Sequence, residues 1–419
     1  MHPRTTSSAP SPGLPAGALD AAAGRRSIAV YVHFPWCLAK CPYCDFVSYA
    51  KERGAIDHEG YADSVLLELA GRARSLEGRE VRVDSVFFGG GTPSLWRPAE
   101  LGRVLAGVRA SLPVDADAEI TVECNPTSLD RGVADALADQ GVNRLSIGAQ
   151  ALKADQLAFL GRLHDPDGAI RAIEAALASR VPRVSADLIY GLPDETPEEA
   201  ASQADRLASL GLSHLSCYEL TIEAGTKFGE LSRAGRLPMA NEDAIVDAFF
   251  AIEATLAARG LGHYEISNYA APGEEARHNL AYWRGVEYVG LGCGAFGFLR
   301  GESGGVRYRN AVLPERYAEG APRAAEGALG DEVSGVEGTR EPLDAESLLR
   351  ERIMLGLRLR VGFDLGEAAS DLGVAPWPLD RERAAARLVA AGRLEREVDH
   401  LRVAPRAWLF ANDVAARLM

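Results

Sequence analysis

The sequence predicts an α/β protein, an open, partial (β/α)6 barrel followed by a small second domain. Apolar, β-branched segments alternate with amphipathic ones in units of about 30–40 residues, the pattern of a parallel sheet with right-handed crossovers. Residues able to do chemistry recur where the strand-like segments stop, the rim on which such folds carry their sites. With 419 residues, 47% of them hydrophobic, the chain has room for one large core and a smaller one.

Residues 1–27, rich in Pro, Ser, Ala and Gly without a continuous apolar run, are expected to form a disordered tail. The core is expected over 28–300. Its first strand, Ile28 to Phe34, runs into a cysteine loop, and Tyr61 to Arg74 shows helical apolar spacing. The next strand, Val83 to Phe88, ends in Gly89-Gly90-Gly91-Thr92-Pro93, and after a helix the strand Glu119 to Val122 ends in Glu123-Cys124-Asn125-Pro126. Strand Arg144 to Gly148 closes with Ala149-Gln150, strand Arg183 to Tyr190 carries Asp187, and strand His214 to Leu220 completes the sixth unit. A long amphipathic helix over Asn241 to Gly260 precedes a strand-like Tyr264 to Ala270. Residues 301–342 show little periodicity and read as loop and linker, and 343–419 as short helices with a two-stranded wing.

The net charge of −14 argues against nucleic acid or anionic lipid as a partner. No apolar run reaches the roughly 18 residues of a transmembrane segment. Six cysteines in so long a chain are not a disulfide framework, and clustered reduced thiols fit the cytoplasm.

Cys37, Cys41 and Cys44 leave the first strand in the spacing Cys-x3-Cys-x2-Cys. Thiolates are soft ligands that select zinc, copper(I) or iron–sulfur clusters. A structural zinc usually takes four protein ligands, and no fourth cysteine lies near. Three on one loop suit a 4Fe–4S cluster with one iron open; the plainer alternatives are three buried thiols or a zinc site completed by His33. The glycine run is equally a tight strand-to-helix turn, and Glu123, Gln150 and Arg162 are equally solvated polar groups. Asp187 is different, since a carboxylate within an apolar strand needs partners. If His278-Asn-Leu-Ala-Tyr282-Trp283 is helical, His278 and Tyr282 share a face. That suits either a core histidine among aromatics or an imidazole beside a porphyrin. Cys293, in a glycine stretch, reads as a small buried thiol or a second heme ligand.

The cysteine spacing, with Tyr43 one residue before the last ligand, resembles the radical S-adenosylmethionine (SAM) superfamily, in which SAM chelates the open iron. Tyr31-Val-His-Phe-Pro-Trp-Cys37 closely resembles one branch, the oxygen-independent coproporphyrinogen III oxidases and the heme chaperones called HemW. The resemblance implies a TIM-like radical SAM barrel with a small winged-helix-like C-terminal domain, and a 4Fe–4S cluster, SAM and heme as cofactors. It implies SAM contacts at Tyr31, Tyr43, Gly90, Gly91, Thr92, Glu123, Gln150, Arg162 and Asp187. His-Asn-x-x-Tyr-Trp is a signature of the HemW branch, linked there to heme binding, so His278, Tyr282 and Trp283 are the expected heme contacts. The oxidase branch carries a further cysteine two residues past the third ligand, where this chain has Phe46. The expectation is therefore a heme chaperone delivering heme to an apo-hemoprotein acceptor, such as a membrane-bound respiratory enzyme. The alternative is coproporphyrinogen III decarboxylation. Mixed charges in 343–419 point to a packing or lid role for that domain rather than DNA binding.

Overall fold

A computed structural model describes residues 25–301, 303–326, 328–329, 332–333 and 335–419. Of the expected tail, residues 1–24 lie outside the described residues, and the first strand already starts at Arg26. Six strand–helix units follow: β1 (Arg26–Phe34) and α1 (His58–Ser75), β2 (Val81–Gly90) and α2 (Pro98–Ser111), β3 (Val114–Cys124) and α3 (Arg131–Asp139). They continue with β4 (Arg144–Gln150) and α4 (Pro166–Leu177), β5 (Arg183–Tyr190) and α5 (Pro197–Ala208), β6 (His214–Glu219) and α6 (Glu242–Ala258). The strands are buried on both faces, which is why they read as continuous apolar runs. Helix starts are written locally. Asp57, Asp130 and Asp165 each accept a backbone N–H two or three residues into their helix, and Thr196 with Glu199 forms a capping box on α5.

The six strands pair in parallel, in chain order. The segment read as one strand over 264–270 is instead a hairpin, β7 (Gly262–Glu265) and β8 (Asn268–Ala270), added antiparallel beyond β6. Helix α7 (Arg277–Trp283) then leads to β9 (Glu287–Leu291), a seventh parallel strand on the free side of β1.

The reading of 301–342 as linker needs correction. After β10 (Phe296–Arg300), this stretch supplies β11 (Gly304–Asn310), α8 (Pro314–Glu326) and the start of β12 (Glu337–Asp344). All three strands extend the sheet antiparallel from β9. Part of the packing is polar, which hydrophobic periodicity does not register, and the apolar face of α8 is built largely of small residues, Ala321 and Ala324 beside Tyr317. Arg72 of α1 is buried over the Tyr308 ring at 3.6 Å and bonds Glu68, Asn310 and Glu337. Glu68 in turn accepts from Tyr317, Asn310 and the Gly292 N–H. Each member is satisfied, so the network tolerates burial.

The last part of the chain has its own core around Leu349, Ile353, Leu365, Leu388, Leu401 and Val414. It contains α9 (Ala345–Gly356), β13 (Phe363–Asp364), α10 (Leu365–Leu372), α11 (Leu379–Ala390), β14 (Leu394–Glu397), β15 (His400–Val403) and α12 (Ala411–Leu418). The expected wing gains a third strand, in the order β13-β15-β14. It docks on the β7–β8 hairpin, where Arg360 donates its N–H to Tyr264 O at 3.0 Å and pairs with Glu253 at 2.5 Å. Among the described residues no helix is long and apolar enough to cross a membrane.

Candidate cofactor site

The cysteine loop hangs from the end of β1. Two parallel bridges, Trp36 to Tyr49 and Cys37 to Ala50, pin its base, and the Cys44 N–H bonds Cys41 O at 3.2 Å. His33 is spent on architecture: Nε2 meets Val47 O at 2.7 Å and Nδ1 meets the Tyr31 hydroxyl at 3.0 Å. Burial lowers its pKa to about 4, so it stays neutral while bracing the loop. With both nitrogens engaged, His33 is not placed as a metal ligand.

Cys37, Cys41 and Cys44 are free, half-buried thiols on the wall of one cavity of about 360 Å³. Among the described residues no three metal-binding side chains converge on a single point. Thiols spread along a wall suit a multi-iron cluster, whose corners are separate metal atoms. Burial pushes the Cys37 and Cys44 thiols up, while hydrogen bonds from Thr92 and Ser48 pull them back. The Arg162 guanidinium donates to Cys41 Sγ at 3.5 Å and to Gly148 O at 2.9 Å, placing a fixed cation against the cluster side. The donor set fits the cluster that the spacing implies.

The same cavity collects Tyr43, Gly90, Gly91, Glu123, Gln150, Arg162 and Asp187. Gly90 has φ +109, open to glycine, and a side chain there would strike the His33 ring. Glu123 accepts the Gly90 N–H at 3.0 Å, and Ser146 donates to Asp187 at 3.2 Å. Burial, with Asp187 nearby, raises the Glu123 pKa to about 8, and burial raises that of Asp187 too. Two carboxylates facing one enclosed space want a ligand bearing a cation and hydroxyl donors, which an amino acid–nucleoside conjugate such as SAM supplies. Gln150 holds φ 66, a strained value for a side-chain-bearing residue and of a kind that clusters at functional sites.

Two expected contacts lie behind the wall. Thr92 is buried beside Cys37, and Tyr31 stacks on Phe87, with neither lining the cavity. Sequence reasoning missed Ser146, Asn125 and Tyr218, which do line it. Asn125 and Tyr218 offered one signal, position near the end of a strand, and Ser146, in the middle of β4, offered none. Phe46 stands on the rim, 57% exposed.

His278, an expected heme contact, is buried on the inner side of α7. Its ring is buried against Phe87 with centroids 4.9 Å apart, Nδ1 meets Ser85 Oγ at 3.0 Å, and Nε2 meets the Tyr282 hydroxyl at 3.2 Å. Burial lowers its pKa to about 3, so the ring is neutral. Both ring nitrogens have hydrogen-bond partners within the protein. Tyr282 and Trp283 instead line a second cleft, on the outer side of α7. Cys293 is a buried thiol donating to Val312 O at 2.9 Å.

Residues 31–208 match the radical SAM superfamily and 343–410 the HemN C-terminal domain. The heme chaperone HemW of Escherichia coli (strain K12) is 42% identical over 301 residues, covering 70% of this chain and 77% of that protein. The heme chaperone HemW of Mycobacterium tuberculosis is 34% identical, covering 98% and 96%. The mouse radical S-adenosyl methionine domain-containing protein 1, mitochondrial, is 36% identical over 80% of this chain and 74% of its own. The solved coproporphyrinogen III oxidase HemN of E. coli superposes with a TM-score of 0.77, covering 94% and 90% at 21% identity, which establishes the shared fold.

Proposed function

Since the chain belongs to the HemW family of the radical SAM superfamily, we propose that it carries heme to an apo-hemoprotein acceptor. Its 4Fe–4S cluster rests on Cys37, Cys41 and Cys44. One observation supports the chaperone reading over oxidation. The cysteine loop and its cavity are complete, yet at the rim Phe46 occupies the position where the oxidases carry a further cysteine. A phenyl ring offers no S–H for hydrogen transfer and no second sulfur.

When bound, the cluster and SAM supply one-electron reducing chemistry. The chain's own residues hold, screen and exclude. Three thiolates bind iron, and binding offsets the cost that burial puts on their charge. Arg162 balances thiolate charge at Cys41. Gly90 and Gly91 bring backbone against the ligand, Glu123 and Asp187 accept its cationic and hydroxyl hydrogens, and Tyr43 and Gln150 close the sides. The acceptor is a protein of heme-binding chemistry, a respiratory enzyme being one such class, and the cytoplasm is the proposed place of transfer.

Anaerobic reconstitution followed by iron, sulfide and heme titrations and a coproporphyrinogen III assay on one sample tests this. The parent should load iron and heme and leave coproporphyrinogen unchanged. Cys41→Ala should lower iron loading by about tenfold or more, since each thiolate is a substantial share of cluster affinity. Turnover of coproporphyrinogen, or full iron loading of the variant, would refute the assignment.

A further inference from the structure

The cysteine loop has a second face. An open groove of about 810 Å³ reaches Cys41 and Cys44. Those two residues are the only lining it shares with the cofactor cavity, so the loop is the wall between the two spaces. The groove floor is apolar, built from Pro42, Phe159, Phe228, Leu231 and Leu237. It is fixed to the loop: the Phe228 N–H bonds Pro42 O at 2.9 Å, and the Phe159 and Phe228 rings lie 4.8 Å apart. Gly161, at φ +66, packs so closely that a Cβ there would meet Pro42 Cδ at 2.7 Å. Among the described residues Lys40 and Lys227 line the groove and no carboxylate does. That departs from the average of a chain with 59 acidic residues against 45 basic ones. Lys227, Arg233 and Arg236, on and just after the short helix Lys227–Arg233, are exposed and form no ion pair among the described residues. Glu230, the one carboxylate of that helix, lies outside the groove lining.

We propose that this groove is the docking face for a small acidic protein carrying a one-electron redox group. The inference rests on the cluster assignment above. An apolar floor edged by unpaired cations is complementary to a partner face with an apolar centre and a carboxylate rim. The net charge of −14 repels an acidic protein elsewhere on the surface, so the cationic rim steers it to this place. A partner seated in the groove has only the loop between its redox group and the thiolates of Cys41 and Cys44. With a flavin carrier, the anionic hydroquinone gives up one electron and becomes the neutral semiquinone. The oxidised cluster gains that electron, and no proton or other atom changes hands. The electron enters from the groove, so the cavity holding Glu123 and Asp187 stays free for the organic ligand.

The test titrates the full-length, cluster-loaded protein anaerobically with flavodoxin, a small acidic flavoprotein. Calorimetry at low salt reads binding, and bleaching of the cluster absorbance reads reduction. Lys227→Glu/Arg236→Glu should weaken binding about tenfold and slow reduction by flavodoxin hydroquinone to match, an effect of rim charge that added salt erases. Reduction by photoreduced deazaflavin, which needs no docking face, should stay unchanged. Arg383→Glu/Arg387→Glu, at exposed positions of the C-terminal domain, changes net charge equally and should leave binding within about threefold. Thermal midpoint and iron content serve as folding controls, and Lys227→Glu alone decides the matter if the pair misfolds. Equal effects of the two pairs, a matching slowdown with deazaflavin, or no binding by the iron-loaded parent would overturn the docking face while leaving the cluster assignment intact. A parent that takes up no iron would overturn both.

Discussion

At Gly91 the backbone has no room for a side chain. A Cβ there would lie 2.7 Å from Trp36 O and 2.9 Å from Phe34 O, and the Gly91 N–H already bonds Phe34 O at 2.7 Å. The glycine turn is therefore docked on the strand end that presents Cys37, and backbone cannot yield as a flexible side chain would. Gly91→Ala should cost about 1–3 kcal/mol, the usual cost of overpacking, and reduce cluster loading, read from the urea midpoint and from bound iron. An unchanged midpoint would show that the loop gives way. The sequence makes this glycine visible, but its reason lies in two carbonyls more than 50 positions away.

The β7–β8 hairpin joins barrel and C-terminal domain, and its last β7 residue, Glu265, is fully buried. Burial pushes that carboxyl up to about 7, opposed by hydrogen bonds from Asn268 and the Ser267 backbone. The folded value exceeds the unfolded one, so the folded chain keeps a proton that the unfolded chain releases. This contribution to stability is full below the ordinary carboxylate range near 4.5 and is lost as pH rises through about 7. Glu265→Gln should therefore shrink the drop in unfolding free energy between pH 5 and 8 by roughly 2–3 kcal/mol. Denaturant curves at both pH values measure it, and an identical pH slope in variant and parent would rule it out. Apolar spacing over 264–270 announced an extended segment; the reversal depends on pairing with β6, which no local pattern carries.

Across the molecule, the elements after β10 are joined to α1 by a buried polar network as well as by the apolar packing of Tyr317, Ala321 and Ala324. Glu68 and Arg72 reach Asn310, Tyr317 and Glu337, spanning more than half the chain. Removing one partner of a buried pair leaves the other charge stranded, at a cost of about 3–5 kcal/mol. Glu68→Ala should accordingly lower the chemical-denaturation stability by that amount; a loss below 1 kcal/mol would mean solvent reaches Arg72 readily. The same scale explains why 301–342 read as linker. Periodicity detects large buried carbon, whereas here small Ala321 and Ala324 are buried together with the polar Asn310, which meets Glu68 and Arg72 of α1.

By itself the sequence determined the cysteine spacing, the rim motifs and the alternation of a parallel sheet. Those properties are local: loop spacing bounds how far thiols can separate, and strand polarity places every strand's end on the same rim. Tertiary structure alone decided which way α7 faces. Spacing of i and i+4 puts His278 and Tyr282 on one side of a helix, but only Ser85 and Phe87 of β2 draw the imidazole inward. The opposing C-terminal domain turns the neighbouring rings into a cleft. Contacts between residues nearly 200 positions apart obey packing and electrostatics in three dimensions, and no one-dimensional pattern encodes their outcome.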